Sequence, residues 1–303
     1  LNATVNATLS TNTRDSNPQL DVVLANPNAP GVDVPKTVTA TLPASVTTDL
    51  QNTALANICS AVDAANGACA ASSKVGSATI ETPFITAGLT GDVYAVKGAS
   101  AIPDLAVEVA GAGNAINFRL KGTSTFVGPR GNQIQTTFTD LPQTPFSKFT
   151  LTIAGGKDSL LTISKCPESG AAPEDGPIHY DMTGYTGASV SSDTATSFAG
   201  CYGKPKVKSF KKCVKFKLSV KPSGLTNEAN IAKAELYVGP NKKAKTRYTK
   251  DTSAPFKFAK RLSHKFKHGK KYYFKVKLTY KPTVDAPSGK TETSKVASFK
   301  RCK

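Results

Sequence analysis

Residues 270–281 read KKYYFKVKLTYK. Tyr272, Phe274, Val276, Leu278 and Tyr280 occupy the even positions, and Lys271, Lys275, Lys277 and Lys281 fall on the odd ones. Side chains alternate across a strand with a period of two. The stretch therefore predicts a β-strand with an apolar underside and a lysine-studded outer face. The same pattern predicts a strand over 213–221, where Val214, Phe216, Leu218 and Val220 alternate with Lys215, Lys217 and Lys221. The C-terminal third is thus expected to be a basic β-domain.

The 303-residue chain is long enough for two domains with cores of their own. Its net charge of +18 is unevenly spread. Residues 1–200 hold 10 Lys/Arg against 16 Asp/Glu, a net of −6, while residues 201–303 hold 29 against 5, a net of +24. Of those 29 cations only three are arginine. No apolar run approaches the roughly 18 residues that a transmembrane helix needs, so no membrane span is expected. The chain opens without a basic-then-apolar leader, so a signal peptide is expected to be already removed or to lie outside this stretch.

Cysteines at 59, 69, 166, 201, 213 and 302 allow fifteen pairings. The sequential set, Cys59–Cys69, Cys166–Cys201 and Cys213–Cys302, leaves each expected domain closed. An even count in a Thr-rich β protein favours disulfides and a secreted or cell-surface location. Structural zinc sites draw on ligand pairs two to four residues apart, and no cysteine pair here is so close.

Leu1, Ala3, Val5, Ala7 and Leu9 alternate with polar residues from the first position on. This strand either completes its own sandwich or inserts into a neighbouring copy as a donated strand, with Leu1, Val5 and Leu9 in pockets. Head-to-tail contacts of that kind do not close on themselves and build fibres. Asn2-Ala-Thr4 and Asn6-Ala-Thr8 also fit the N-glycosylation pattern, a short motif that recurs by chance. Residues 50–70 form the best helix candidate. Strands are expected near 19–24, 36–42, 74–82, 91–96, 105–109, 115–125, 133–140, 148–154 and 159–164, with hairpin-type connections at 128–131 and 155–158. Short strands with frequent turns predict an all-β protein of two antiparallel β-sandwich domains, with at most one short helix near 50–65.

Several segments in order carry a family resemblance. They are LPASV (42–46), NICSAVDAANGACAASSKVGSATI (57–80), LTGDVYAV (89–96), IPDLAVEV (102–109), QIQTTF (133–138), LPQTPFSKFTLTI (141–153) and Lys165-Cys-Pro167. Together they resemble the repeated β-sandwich module of secreted and surface proteins of actinobacteria, in which a Cys-rich turn precedes Ser-x-Val-Gly-x-Ala. TGYTGASVSSDTATSFAGC (183–201) matches that family's appended hairpin, bounded here by Cys166 and Cys201. The resemblance covers about 10–202 and implies an exported module with no well-defined catalytic activity. From about 204 the layout resembles a bacterial immunoglobulin-like domain, carried by IAKAELYV (231–238), the turn 239–242 and Ala254-Pro-Phe256. The expected division is therefore 1–202, including a hairpin at 166–201, and 203–303.

Catalytic chemistry is not expected. His264 and His268 are four apart, but lysines interleave them and the glutamate of the helical zinc motif is missing. His179, the third histidine, stands alone. Gly111-Ala-Gly113-Asn-Ala-Ile116 lacks the third glycine of a dinucleotide loop and reads as a turn. Glu174-Asp175-Gly176 reads as a solvated turn, with a weak calcium contact as the alternative. No cofactor is expected. The lysine face is the feature with functional content: Lys215, Lys217, Lys271, Lys275, Lys277 and Lys281 are candidate contacts for a polyanion. Lysines two apart on a strand lie about 7 Å apart and repel by roughly 0.6 kcal/mol in water before screening. Such a surface either serves solubility or attracts anionic polymers. Scarcity of arginine disfavours sequence-specific nucleic-acid recognition. The expected function is a non-enzymatic extracellular structural protein, a subunit of a surface filament or layer made of copies of itself. The alternative is a monomeric adhesin that binds an anionic cell-wall polymer or glycan through the basic domain.

Overall fold

A computed structural model describes residues 1–27, 32–49, 51–113, 115–167, 176–225, 228–282 and 289–303. Over the described residues the chain is all-β apart from short helical turns, and every ladder between its strands is antiparallel. Internal contacts divide it into Leu1–Lys165 with Pro173–Phe198, and Cys166–Ala172 with Ala199–Lys303. The division thus departs from a cut at 202/203. The Cys166–Cys201 bridge goes with the second unit, and the strands between those cysteines stay with the first.

The first unit contains β1 (Thr4–Leu9), β2 (Leu20–Ala25), β3 (Pro35–Thr41), β4 (Val46–Thr48), β5 (Lys74–Thr82), β6 (Ile85–Val96), β7 (Asp104–Gly111), β8 (Ile116–Val127), β9 (Gln133–Phe138), β10 (Lys148–Ile153), β11 (Leu161–Ile163), β12 (Ile178–Gly184) and β13 (Ser189–Thr194). Eleven of them make one sheet in the order β1-β2-β10-β5-β6-β7-β8-β9-β3-β12-β13. The sheet bends back over itself. Ala3 and Leu24 from one end of that order pack with Met182 from the other, with Val5 and Val190 against them. The hairpin β12–β13 is not an appendage: β12 pairs with β3 from His179↔Thr41 to Gly184↔Pro35. The pair β4–β11 stands apart as a two-stranded sheet. Residues 155–158 accordingly make no hairpin but a 3-10 turn, Gly156–Asp158, that carries the chain from β10 to β11. One glycine in the sheet has a clear steric reason: a Cβ on Gly91 would stand 1.7 Å from the Glu108 carbonyl oxygen of β7.

The helical stretch is split into α1 (Thr53–Ala56) and α2 (Ala61–Asn66). Between them Cys59 is extended, giving its N–H to Ala95 O at 2.9 Å and accepting from Lys97 N at 2.8 Å. Ser60 then caps α2 by accepting from Asp63 N at 3.0 Å, and Gly67 closes it at φ +67°. The Cys59–Cys69 bridge closes this segment. Cys59, Val96 and Ala106 pack together, so the segment lies on the outer face of β6–β7.

The second unit contains β14 (Lys217–Val220), β15 (Ile231–Gly239), β16 (Thr246–Asp251), β17 (Phe258–Arg261), β18 (Lys271–Tyr280), β19 (Thr291–Thr293) and β20 (Ala297–Lys300). One sheet runs β16-β15-β18-β19, with β20 also on β18, and β14–β17 form the other. This is an immunoglobulin-like sandwich. Its core includes Leu218, Leu236, Phe256, Phe258, Phe274 and Phe299. Burying one such side chain is worth about 1.5–3 kcal/mol. The alternation over 213–221 survives only from 217 onward. A bend at 215–216 leaves Phe216 71% exposed, while Val214 is held by a parallel bridge to Arg301. Cys213–Cys302 ties the two ends of the unit.

Candidate functional site: the cationic faces of the second unit

The strand β18 is central in its sheet and sends Tyr272, Phe274, Val276, Leu278 and Tyr280 into the core. The pleat then turns Lys271, Tyr273, Lys275, Lys277 and Thr279 outward. Lys271 is exposed and its Nζ sits 5.6 Å over the Tyr273 ring, whereas Lys275 and Lys277 are half-buried along the sheet. Across the ladder Lys275 faces Tyr237, Lys277 faces Glu235, and Lys271 faces another cation, Lys300.

Glu235 is the centre of this face. It is only 3% exposed, accepts from Arg247 at 3.2 Å and lies 3.7 Å from Lys233. The Tyr237 hydroxyl donates to its other oxygen at 3.4 Å. Burial pushes its carboxyl pKa up, but the Arg247 hydrogen bond and the charges of Lys233 and Arg247 outweigh this, leaving it below the ordinary value. Burial and the Glu235 carboxylate together raise the neighbouring Tyr237 phenol. The sequence does hold a signal for Glu235. In IAKAELYV it shares the outward register with Lys233 and Tyr237 while Ala234, Leu236 and Val238 point in. What alternation misses is that its neighbours cover it.

The six candidate lysines do not form one site. Lys217 lies on β14, in the other sheet of the sandwich, and Lys215 precedes it in the bend. Both are exposed. Lys217 stands directly opposite Arg261 on β17. Like charges so placed are destabilising. Lys281 follows the end of β18 and gives its backbone N–H to Asn230 O at 2.8 Å. The cations therefore make two patches, one on the outer face of each sheet.

The candidate donor strand is engaged within its own sheet. β1 pairs with β2 over six residues, from Thr4↔Ala25 to Leu9↔Leu20. Ala3 and Ala7 are buried, Leu1, Val5 and Leu9 partly so, and the intervening residues are exposed.

Other singled-out residues fall elsewhere. His179 lies on β12 between two carboxylates, 2.7 Å from Asp193 and 3.2 Å from Asp181. Hydrogen bonding to Asp193 is the main cause of its raised pKa. Burial lowers the pKa, and the charges of Asp181 and Asp193 raise it further. His264 and His268 are exposed, and His268 contacts the Cys302 carbonyl oxygen at 2.9 Å. Gly111 pairs with Ile116 at the ends of β7 and β8, Ala112 and Gly113 have φ 51° and 67°, and Asn114 lies outside the described residues. Glu174 and Asp175 lie outside the described residues. Among the described residues no group of three or more His, Cys, Asp or Glu is placed to hold a metal ion, and no helix is long and apolar enough to cross a membrane.

No protein-family model matches the chain, and no curated protein matches it. Among solved structures, fibronectin(III)-like modules of Clostridium thermocellum CbhA align over 99% of this chain and 94% of theirs, at 8% identity and a TM-score of 0.21. The group B streptococcus pilus 2b backbone protein aligns over 88% of this chain and 82% of its own, at 11% identity and a TM-score of 0.30. Similarity at that level transfers no function, and the immunoglobulin-like description of the second unit stands on its own topology.

Proposed function

We propose that the chain is a non-enzymatic extracellular surface protein whose second unit holds anionic polymers, an acidic glycan or a cell-wall polyanion, on two cationic faces. The observation that carries this reading is the pairing of like charges on both sheets, Lys217 with Arg261 and Lys271 with Lys300. Such pairs cost the fold stability, and an anionic polymer lying over them would offset the repulsion. Three disulfides support an oxidising, extracellular setting. The test is retention on immobilised heparin and on teichoic acid as salt is raised. Retention is expected to fall steeply with salt, and to weaken when Lys271, Lys275 and Lys277 become Gln. Retention indifferent to both changes would refute the reading.

A second reading, assembly of copies head to tail, is favoured by the opposite charge of the two halves, −6 over 1–200 and +24 over 201–303. It rests on that asymmetry rather than on strand donation, because β1 is taken up in its own sheet. Polymers seen by negative stain at low salt, dispersing at high salt, would support it. A monodisperse monomer at low salt would sink it.

A further inference from the structure

The first unit holds an open-mouthed cavity of about 360 Å³ between the facing limbs of its bent sheet. Its deep end is formed by Leu20, Leu42, Leu105, Ile153 and Leu160, all buried. The pair β4–β11 closes that end, contributing Thr48 and Leu161 to the wall. At the opposite end lie the β5–β6 hairpin, the β7–β8 hairpin and the β9–β10 connection, with Phe84, Ile85, Ile116, Phe118 and Phe146 around the rim. Phe84 is 70% exposed and Ile116 37%. Among the described residues no charged side chain lines the cavity. Among its hydroxyls, Thr82 Oγ1 donates to Pro145 O at 3.0 Å, Ser124 Oγ and Thr136 Oγ1 bond each other at 3.0 Å, and the buried Tyr180 hydroxyl adds one more polar atom to the wall.

From this geometry we infer that the first unit binds a single long hydrocarbon chain, the acyl chain of a fatty acid or lipid, with its polar end at the Phe84 rim. Water is a poor occupant, because each buried molecule needs two to four polar partners and this wall offers few. A polar or charged metabolite would lose its hydration without replacement. An alkyl chain asks only for apolar contact. At about 30 Å³ per methylene, similar to the share of a water molecule in its liquid, the cavity takes a chain of about a dozen carbons or more. The inference concerns the first unit alone and stands whether or not the second unit holds polymers.

The test uses the full chain and cis-parinaric acid, whose fluorescence rises on entering an apolar site, with saturated fatty acids from butanoic to hexadecanoic as competitors. Saturable one-to-one binding is expected. Competition should strengthen roughly tenfold for every two methylenes added, and level off once the cavity is full. Thr136→Phe, which fills the cavity, should weaken binding at least tenfold. Phe84→Asp, on the exposed rim and therefore tolerated by the fold, should weaken it several-fold. A second arm incubates the protein with phosphatidylglycerol vesicles and weighs it by native mass spectrometry. Retention of one phospholipid makes a membrane lipid the source of the chain, and fatty-acid binding without it makes the free acid the source; both support the inference. No saturable binding in either arm, affinity independent of chain length, or binding unchanged in both variants would overturn it.

Discussion

Replacing Glu235 by Gln separates the two roles of the outer face of the five-stranded sheet, because it keeps the shape and removes one negative charge. Stability should fall. The substitution weakens the bond from Arg247 at 3.2 Å, the ion pair with Lys233 at 3.7 Å and the Tyr237 contact at 3.4 Å. Water screens the first two, since the Arg247 and Lys233 side chains are 61% and 41% exposed. A cost of about 1–2 kcal/mol follows, or roughly 5–10 °C for a unit of this size. The carboxyl pKa is held below its ordinary 4.5, so its stabilisation is complete above that pH and fades as pH falls through the folded value. The gap between the variant and the parent should therefore close in acid. Polyanion binding should move the other way. A polymer charge about 7 Å from Glu235 is repelled by roughly 0.6 kcal/mol in water, and less at physiological salt. With several polymer charges in range, the variant should bind about two- to fivefold tighter at low salt and show a steeper salt dependence as Arg247 is released. Heparin-affinity titrations at several salt concentrations, beside thermal unfolding at pH 7 and pH 4, read both effects. A folded Glu235→Gln protein that binds no more tightly would refute the electrostatic reading of this face.

Cys213 and Cys302 close 89 residues, so replacing both with Ala should cost the second unit about 4–5 kcal/mol in the chain-entropy account, read as a Tm loss of tens of degrees by calorimetry. A change of only a few degrees would mean the bridge constrains little. His179 should titrate above its ordinary 6.5 by proton NMR, and Asp193→Asn should lower its pKa. Its contribution to stability is then complete below pH 6.5 and lost as pH rises through the raised folded value, so a His179 titrating at or below 6.5 would contradict the geometry.

Much of this architecture was legible in the residues. Alternation in KKYYFKVKLTYK assigns every inward and outward side chain of β18 correctly, because a central strand is pinned by pairs on both sides. The same reading failed at Phe216. There the strand is an edge of only four residues, and the preceding bend breaks the period. Charge counting found a basic domain but merged Lys217 with Lys271. Two strands with identical patterns give no sign of which sheet each joins, and outward residues on opposing sheets point away from each other. The helical stretch was found but not its break, since nothing local shows that Cys59 lies extended beside Val96.

The cavity marks a deeper limit. Periodicity tells which side chains face inward, and the residues that wall the first unit, such as Leu20, Leu42 and Leu105, are apolar residues that any sandwich core would use. It does not tell how far apart two facing limbs stand. That distance is set by the curvature of an eleven-stranded sheet, a property of all its registers together. The space of about 360 Å³ opens at the exposed Phe84 rim, so it is a cleft between the limbs and not a sealed void. Packing volume, not pattern, is therefore where the first unit's function would be written.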